Sequence, residues 1–117
     1  MASNAALFIS WKLPVTGREA QALELFGSVI KYLGKQQAIG SIESFEPCVL
    51  APHGSDLEGF ILVRGERKAL HTLRFSDEFE DIASKSLYAV EGWRAVDAYV
   101  GEGVSAHMQR YARNITR

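Results

Sequence analysis

The feature that most constrains the fold is a run of four consecutive apolar residues, Phe-Ile-Leu-Val at 60–63. Successive side chains of a strand point to opposite faces of a sheet, so a strand of this composition needs apolar cover on both faces. A turn cluster of Pro, His, Gly, Ser and Asp at 52–56 precedes it. We therefore predict a central strand over 57–64, the second arm of a hairpin whose first arm is 42–50.

Periodicity elsewhere in the chain places the remaining elements. Pro47 lies within the strand 42–50, and because proline has no amide hydrogen, that strand belongs at a sheet edge or carries a bulge. The predicted strands are 6–13, 42–50, 57–64 and 93–100, and the predicted helical segments are a first helix between Thr16 and Gly34, then 66–75, 76–90, and a last helix after the turn at 101–103.

Signals at the helix ends sharpen these boundaries. Thr16 and Glu19 have the spacing of a capping box, and Gly34 is predicted to lie just past the end of the first helix. The apolar phase of the next helical segment breaks near Phe75, and Ser76 is a favourable N-cap. Two separate helical pieces are therefore predicted between 66 and 90.

The order strand, helix, strand, strand, helix, strand is that of a ferredoxin-like α+β domain, here with an extra C-terminal helix. Right-handed crossovers place the first and third strands at the centre of an antiparallel sheet, with the helices on one face. The chain has 117 residues, 47% of them hydrophobic, which suits one domain over 1–117 with its own core.

The second face of this sheet has no predicted cover. Apolar and aromatic groups are costly to leave in water, so we predict a homodimer built through this face, with Phe8, Phe60 and Leu62 in its interface. The last helix either folds over the face or extends the dimer contact. The residues predicted to share this face are Phe8, Ser10, Lys12, Phe60, Leu62, Arg64, Trp93, Asp97 and Tyr99.

Two local runs, LRFSDEF at 73–79 and VEGWRAVD at 90–97, together with the order of elements, resemble the dimeric α/β-barrel group of ferredoxin-like proteins. That group includes cofactor-free antibiotic-biosynthesis monooxygenases and stress-responsive barrel-domain proteins. The resemblance covers about residues 6–115 and implies a fold and a sheet-to-sheet dimer. Neither run is a catalytic signature, so the resemblance implies no particular reaction.

The few polar side chains on the second face form the predicted site. A cavity there, in the dimer or at the sheet face, would bind a small molecule. By analogy with the resembled enzymes, a cofactor-independent monooxygenase or isomerase would act there on a planar anionic substrate. Salt bridges that fill a purely structural interface are the competing interpretation. The candidate ligand-binding residues are Ser10, Lys12, Arg64, Trp93, Asp97 and Tyr99, with Glu46 and Cys48 as further members of the face.

Composition argues against several other classes of protein. A formal charge of −1 does not favour a nucleic-acid or membrane partner, and Glu58 occupies the position where an RNA-recognition motif has a basic residue. One cysteine and three scattered histidines predict neither a disulfide nor a metal site, and no cofactor motif is present. Residues 1–14 lack the basic start of a signal peptide, so a cytoplasmic location is expected.

Overall fold

The computed structural model describes residues 4–115. Every strand begins and ends within two residues of its predicted bounds. In chain order the elements are β1 Ala5–Trp11, α1 Glu19–Ala38, β2 Ser44–Val49, β3 Gly59–Gly65, α2 Arg67–Arg74, α3 Asp77–Ala89, β4 Arg94–Tyr99 and α4 Glu102–Ile115.

The four strands form one antiparallel sheet in the order β2-β3-β1-β4. β1 and β3 are therefore the central pair, as the apolar run at 60–63 indicated. Their register pairs Leu7 with Val63 and Ile9 with Ile61. Together with the helices on one face, this topology confirms the ferredoxin-like α+β fold.

Helices α1, α2 and α3 cover one face of the sheet, which we call the helix face. The largest fully buried side chains meet there, because odd-numbered positions of β1 and β3 all point toward the helices. α1 contributes Leu33, α2 contributes Leu70 and α3 contributes Phe79. The core cluster consists of Ala5, Leu7, Ile9, Val29, Tyr32, Leu33, Ile42, Ile61, Val63, Leu70, Leu73 and Phe79.

The ends of α1 differ from the prediction. Its N-cap is Arg18, and the Glu19 carboxylate accepts a hydrogen bond from the amide of Gly17 at 3.0 Å, so the capping box on Thr16 is wrong. Gly34 lies inside the helix, which continues to Ala38. The chain turns at Gly40, whose φ of +84° lies in the left-handed region that favours glycine.

The break between α2 and α3 lies where the change of apolar phase predicted it. The Ser76 hydroxyl accepts a hydrogen bond from the amide of Phe79 at 3.2 Å and caps α3. The same hydroxyl donates to the carbonyl of Leu73 at 2.8 Å and so also ties down the end of α2. One serine thus stops one helix and starts the next.

β2 is an edge strand, as Pro47 indicated. The amide of Leu50 donates to the carbonyl of Glu58 on the β3 side at 2.9 Å. Amides along an antiparallel strand alternate between its two sides, so the amide position of Pro47 lies on the outer side of the sheet. Proline therefore removes no hydrogen bond from the ladder.

The predicted face of β4 is wrong. The register pairs Leu7 with Asp97 and Ala5 with Tyr99, and paired residues share a face, so Asp97 and Tyr99 lie on the helix face. Trp93 packs against the core there, with its ring centroid 6.3 Å from that of Phe79. Because side chains alternate along a strand, burying this indole on the helix face determines which residues of β4 face the helices and which face away.

α4 follows β4 and neither covers the sheet nor buries any described residue of its own. Its apolar stripe comprises Val104, Met108, Tyr111 and Ile115, each 45–57% exposed. It touches the body through His107, whose ring stacks on Tyr99 with centroids 4.2 Å apart. Of the two predicted roles of α4, folding over the open face within one chain is therefore wrong.

Candidate ligand-binding site

A cavity of about 430 Å³ lies between the helix face of the sheet and the helices α1 and α3. It occupies the end of the sheet where β1 and β2 finish and β3 and β4 begin. Its lining is almost entirely apolar. The lining residues are Ile9, Trp11, Pro14, Glu19, Ala22, Leu23, Leu25, Phe26, Val29, Val49, Glu58, Ile61, Phe79, Ile82, Ser86, Val90 and Trp93.

Small side chains on both helices leave this space. Ala22 of α1 and Ser86 of α3 line the cavity, where larger residues would fill part of it. The Ser86 hydroxyl donates to the carbonyl of Ile82 within its own helix at 2.7 Å. Because that donor is already occupied, Ser86 adds little polarity to the wall.

Aromatic rings form much of the wall at the sheet. The two tryptophans of the chain, Trp11 and Trp93, both line the cavity. The Trp11 ring lies 5.7 Å from that of Phe26 at 59°, and the Trp93 ring packs near Phe79. These surfaces suit a ligand with an apolar or aromatic body.

Two ionisable residues, Glu19 and Glu58, are among the lining residues. Glu19 is exposed at the start of α1, and Glu58 is partly buried just before β3. No lysine, arginine, histidine or cysteine is among the described residues of this wall. The polar chemistry that the cavity offers is therefore that of carboxylates.

The predicted site residues are not brought together. Trp93 lines the cavity, whereas Ser10 and Arg64 lie on the opposite face of the sheet, which we call the open face. Arg64 Nη1 lies 3.7 Å from the Glu46 carboxylate on the neighbouring strand. Lys12 follows β1, and its Nζ lies 3.5 Å from the Asp56 carboxylate.

Asp97 and Tyr99 lie apart from both groups, at the α4 end of the helix face. Arg67 binds them to the body: its Nη1 is 3.3 Å from Asp97, and its guanidinium lies 5.3 Å from the centre of the Tyr99 ring. A second cavity of about 310 Å³ adjoins Arg67, Tyr99, His107 and Arg110. His107 Nδ1 is buried there without a hydrogen-bond partner.

The three residues predicted for a dimer interface do share the open face. Phe8 pairs with Leu62 across β1 and β3, and the rings of Phe8 and Phe60 are 5.4 Å apart. All three side chains are half-buried within one chain. Cys48 and Glu46 of β2 lie on this face too, because they pair with Phe60 and Leu62.

Across residues 4–115, no three histidine, cysteine or acidic side chains come together as a metal site would require. Within the same range, no helix combines the length and apolar character that crossing a membrane requires.

Comparison with known proteins supports the fold and goes no further. No protein-family model matches the chain, and no curated protein matches it in sequence. The structure is similar to a dimeric protein of unknown function with a ferredoxin-like fold from Bacteroides fragilis, with a TM-score of 0.61 and 12% sequence identity. The match covers 86% of this chain and 100% of that one.

Only partial signals of the cavity are present in the sequence. Ala22, Leu25, Phe26 and Val29 have the spacing of one helix face, which predicts burial but does not distinguish a filled core from a gap. Ser86 was not singled out, although a small polar residue amid an apolar helix face is a signal of incomplete packing. The two lining glutamates lie in segments where acidic residues are ordinary.

Proposed function

We propose that this protein binds a small, largely apolar molecule in the cavity between the sheet and helices α1 and α3. The observation that supports this function is the cavity itself. Its volume of about 430 Å³ falls in the range of small-molecule sites, roughly 300–1,000 Å³. Its wall is almost entirely apolar, so an apolar occupant would remove that surface from water.

Binding is a better description than catalysis for this wall. A general base or an oxyanion donor must lie within hydrogen-bond reach of the reacting atoms. The wall offers two carboxylates and one serine, whose hydroxyl already donates to the carbonyl of Ile82. The monooxygenase- or isomerase-like alternative has no comparable support, because Lys12 and Arg64, its proposed anion-stabilising groups, are absent from the wall.

Intrinsic fluorescence tests the proposal directly, because both tryptophans line the cavity. We expect titration with phenylbutanol, a neutral apolar ligand, to change tryptophan emission saturably and to raise the melting temperature. The variant Ala22→Phe, which fills the space beside α1, should abolish both responses. Ala20→Phe is the matched control, since Ala20 is exposed on the same helix outside the cavity.

The control should bind as the wild type does. Saturable binding that is equally strong in Ala22→Phe would show that the ligand binds elsewhere and would contradict the proposal. If Ala22→Phe melts at the same temperature as Ala20→Phe, loss of binding is not a consequence of unfolding. Absence of binding by any apolar compound in a thermal-shift screen would also reject it.

We further propose that the chain is a homodimer that pairs through the open face. Phe8, Phe60 and Leu62 are only half-buried in one chain, and Val96 of β4 is 48% exposed beside them. A second copy is the natural cover for such a surface, and the structurally similar Bacteroides fragilis protein is dimeric. The Arg64–Glu46 pair lies toward the β2 edge, where the rim of an interface is typically polar.

Sedimentation equilibrium tests the dimer. We expect the wild type to sediment as a dimer and Phe60→Asp to sediment as a monomer, because the carboxylate would be buried without a partner. Leu87→Asp is the matched control: Leu87 is 64% exposed on α3 and far from the open face. A Phe60→Asp dimer, or a wild-type monomer at all concentrations, would overturn this part of the proposal.

A further inference from the structure

We infer that the ligand of this cavity carries an ammonium or neutral polar group and not a carboxylate, an inference that rests on the cavity's being a ligand site. The described wall carries Glu19 and Glu58 and no cationic residue. Its charge therefore has one sign. Analogy with the monooxygenases suggested a planar anionic substrate, and an anion is the ligand that this acidic wall disfavours most.

Both carboxylates are free of salt bridges within residues 4–115. Glu19 accepts a hydrogen bond from the amide of Gly17 through one oxygen, which leaves its second oxygen available. The backbone of Glu58 bonds to Trp11 and Leu50, and these contacts hold its Cα at the start of β3. An incoming ammonium would supply the cation that both carboxylates lack.

The cations nearest the wall are engaged elsewhere: Arg74, whose guanidinium lies 5.9 Å from the centre of the Trp93 ring, pairs with Glu80 at 3.3 Å. Lys12 pairs with Asp56 at 3.5 Å. Arg18 donates to the carbonyl of Tyr88 at 3.0 Å, and its guanidinium lies 3.8 Å from the centre of the Tyr88 ring. A carboxylate entering the cavity would thus lose water and meet negative charge without a compensating partner.

The tryptophans act in the same direction. The face of an indole ring is electron-rich and attracts a cation, as Arg74 over Trp93 shows, and the ring of Trp11 has the same preference. Aromatic rings together with two glutamates that have no salt bridge are groups that favour an organic amine. The apolar body of the ligand would contact Phe26 and the aliphatic residues of α1 and α3.

Three ligands with the same body test the inference: phenylbutylamine, phenylbutanol and phenylbutyrate, titrated by tryptophan fluorescence at neutral pH. We expect the amine to bind about fivefold more tightly than the alcohol, since a part-exposed ion pair contributes about 1 kcal/mol at most. The acid should bind at least about tenfold more weakly than the alcohol.

The double variant Glu19→Gln with Glu58→Gln should reduce the amine preference to less than about twofold, while the alcohol binds as before. Its matched control, Glu24→Gln with Glu66→Gln, removes the same charge outside the cavity and should keep the preference. Equal binding of amine and acid would overturn the inference, as would a preference that survives the double variant. Failure of all three ligands to bind would instead reject the cavity as a ligand site.

Discussion

The two faces of the sheet differ in how each accommodates charge. On the helix face, the Asp97 carboxylate is held by Arg67, which also donates to the carbonyls of Ala6 at 3.3 Å and Ala98 at 2.8 Å. On the open face, the Arg64 guanidinium meets the Glu46 carboxylate at 3.7 Å. The two arginine side chains are similarly exposed, 36% for Arg67 and 37% for Arg64, so what distinguishes Arg67 is its two hydrogen bonds to backbone carbonyls.

The faces differ in packing as well. The open face presents half-buried rings that touch each other, such as Phe8 and Phe60. The helix face buries its largest side chains completely, and two of them, Ile61 and Phe79, also form part of the cavity wall. Rigid helices laid on a twisted sheet cannot be equally close along their whole length, so a gap opens where their side chains are small. The proposed ligand site and the proposed interface thus belong to opposite sides of one sheet.

The largest effect is expected from the core of the helix face. Phe79 is fully buried, and Phe79→Ala should lower the free energy of unfolding by about 3–5 kcal/mol, measured by urea denaturation. Phe75→Ala is its control, because Phe75 is 57% exposed and its replacement should cost less than about 1 kcal/mol. Similar losses in both variants would mean that the helix layer is not packed as described.

The open face should respond through assembly. Val96→Glu places a charge at the centre of the proposed interface, and we expect the dimer dissociation constant to rise at least about 30-fold. The melting temperature of the wild type should increase with protein concentration, whereas that of the variant should not. A concentration-dependent melting temperature in Val96→Glu would show that the dimer uses a different surface.

The two ion pairs provide a direct contrast between the faces. Arg67→Met removes two backbone hydrogen bonds and the partner of Asp97, and should lower the free energy of unfolding by about 1–2 kcal/mol. Arg64→Met should cost less than about 0.5 kcal/mol in the monomeric Phe60→Asp background, since its pair is exposed. Chemical denaturation of both variants measures the difference. Equal losses would refute the contrast between the faces.

The smallest effect concerns Tyr32, which lies in the core of the helix face. Burial raises the pKa of its phenol above the ordinary value of about 10, and the negative charge of Glu78 acts in the same direction. The unfolded chain therefore ionises first, so the free energy of unfolding should fall as the pH rises above about 10. Tyr32→Phe should show a shallower decline in the same pH titration. An identical slope in both proteins would exclude Tyr32 as its source.

The fold could be predicted because its main signals are local and strong. Four consecutive apolar residues identify β3 as central, and Pro47 identifies β2 as an edge strand. The end of α1 was misplaced, since glycine costs a helix interior only about 1 kcal/mol and Gly34 is simply carried within a 20-residue helix.

The site was harder to predict, because it depends on which face of β4 points inward. Small apolar residues occur at positions that point to either face of that strand, as the adjacent Ala95 and Val96 show. Alternation alone therefore does not decide which face of β4 is buried. The decision comes from Trp93 packing on Phe79, a contact between residues of different elements. The size of a cavity likewise depends on the distance between helix and sheet, and the spacing of apolar residues in the sequence does not indicate that distance.

Pro47 has a consequence for how copies of this protein can meet. An exposed strand edge is a template onto which another chain can add its own strand, and continuous sheets and aggregates grow in this way. The outer side of β2 lacks one amide donor at Pro47, so a strand added there would lack one hydrogen bond near its middle. Growth along this edge is thereby discouraged, which leaves the open face as the surface for the proposed pairing of two copies.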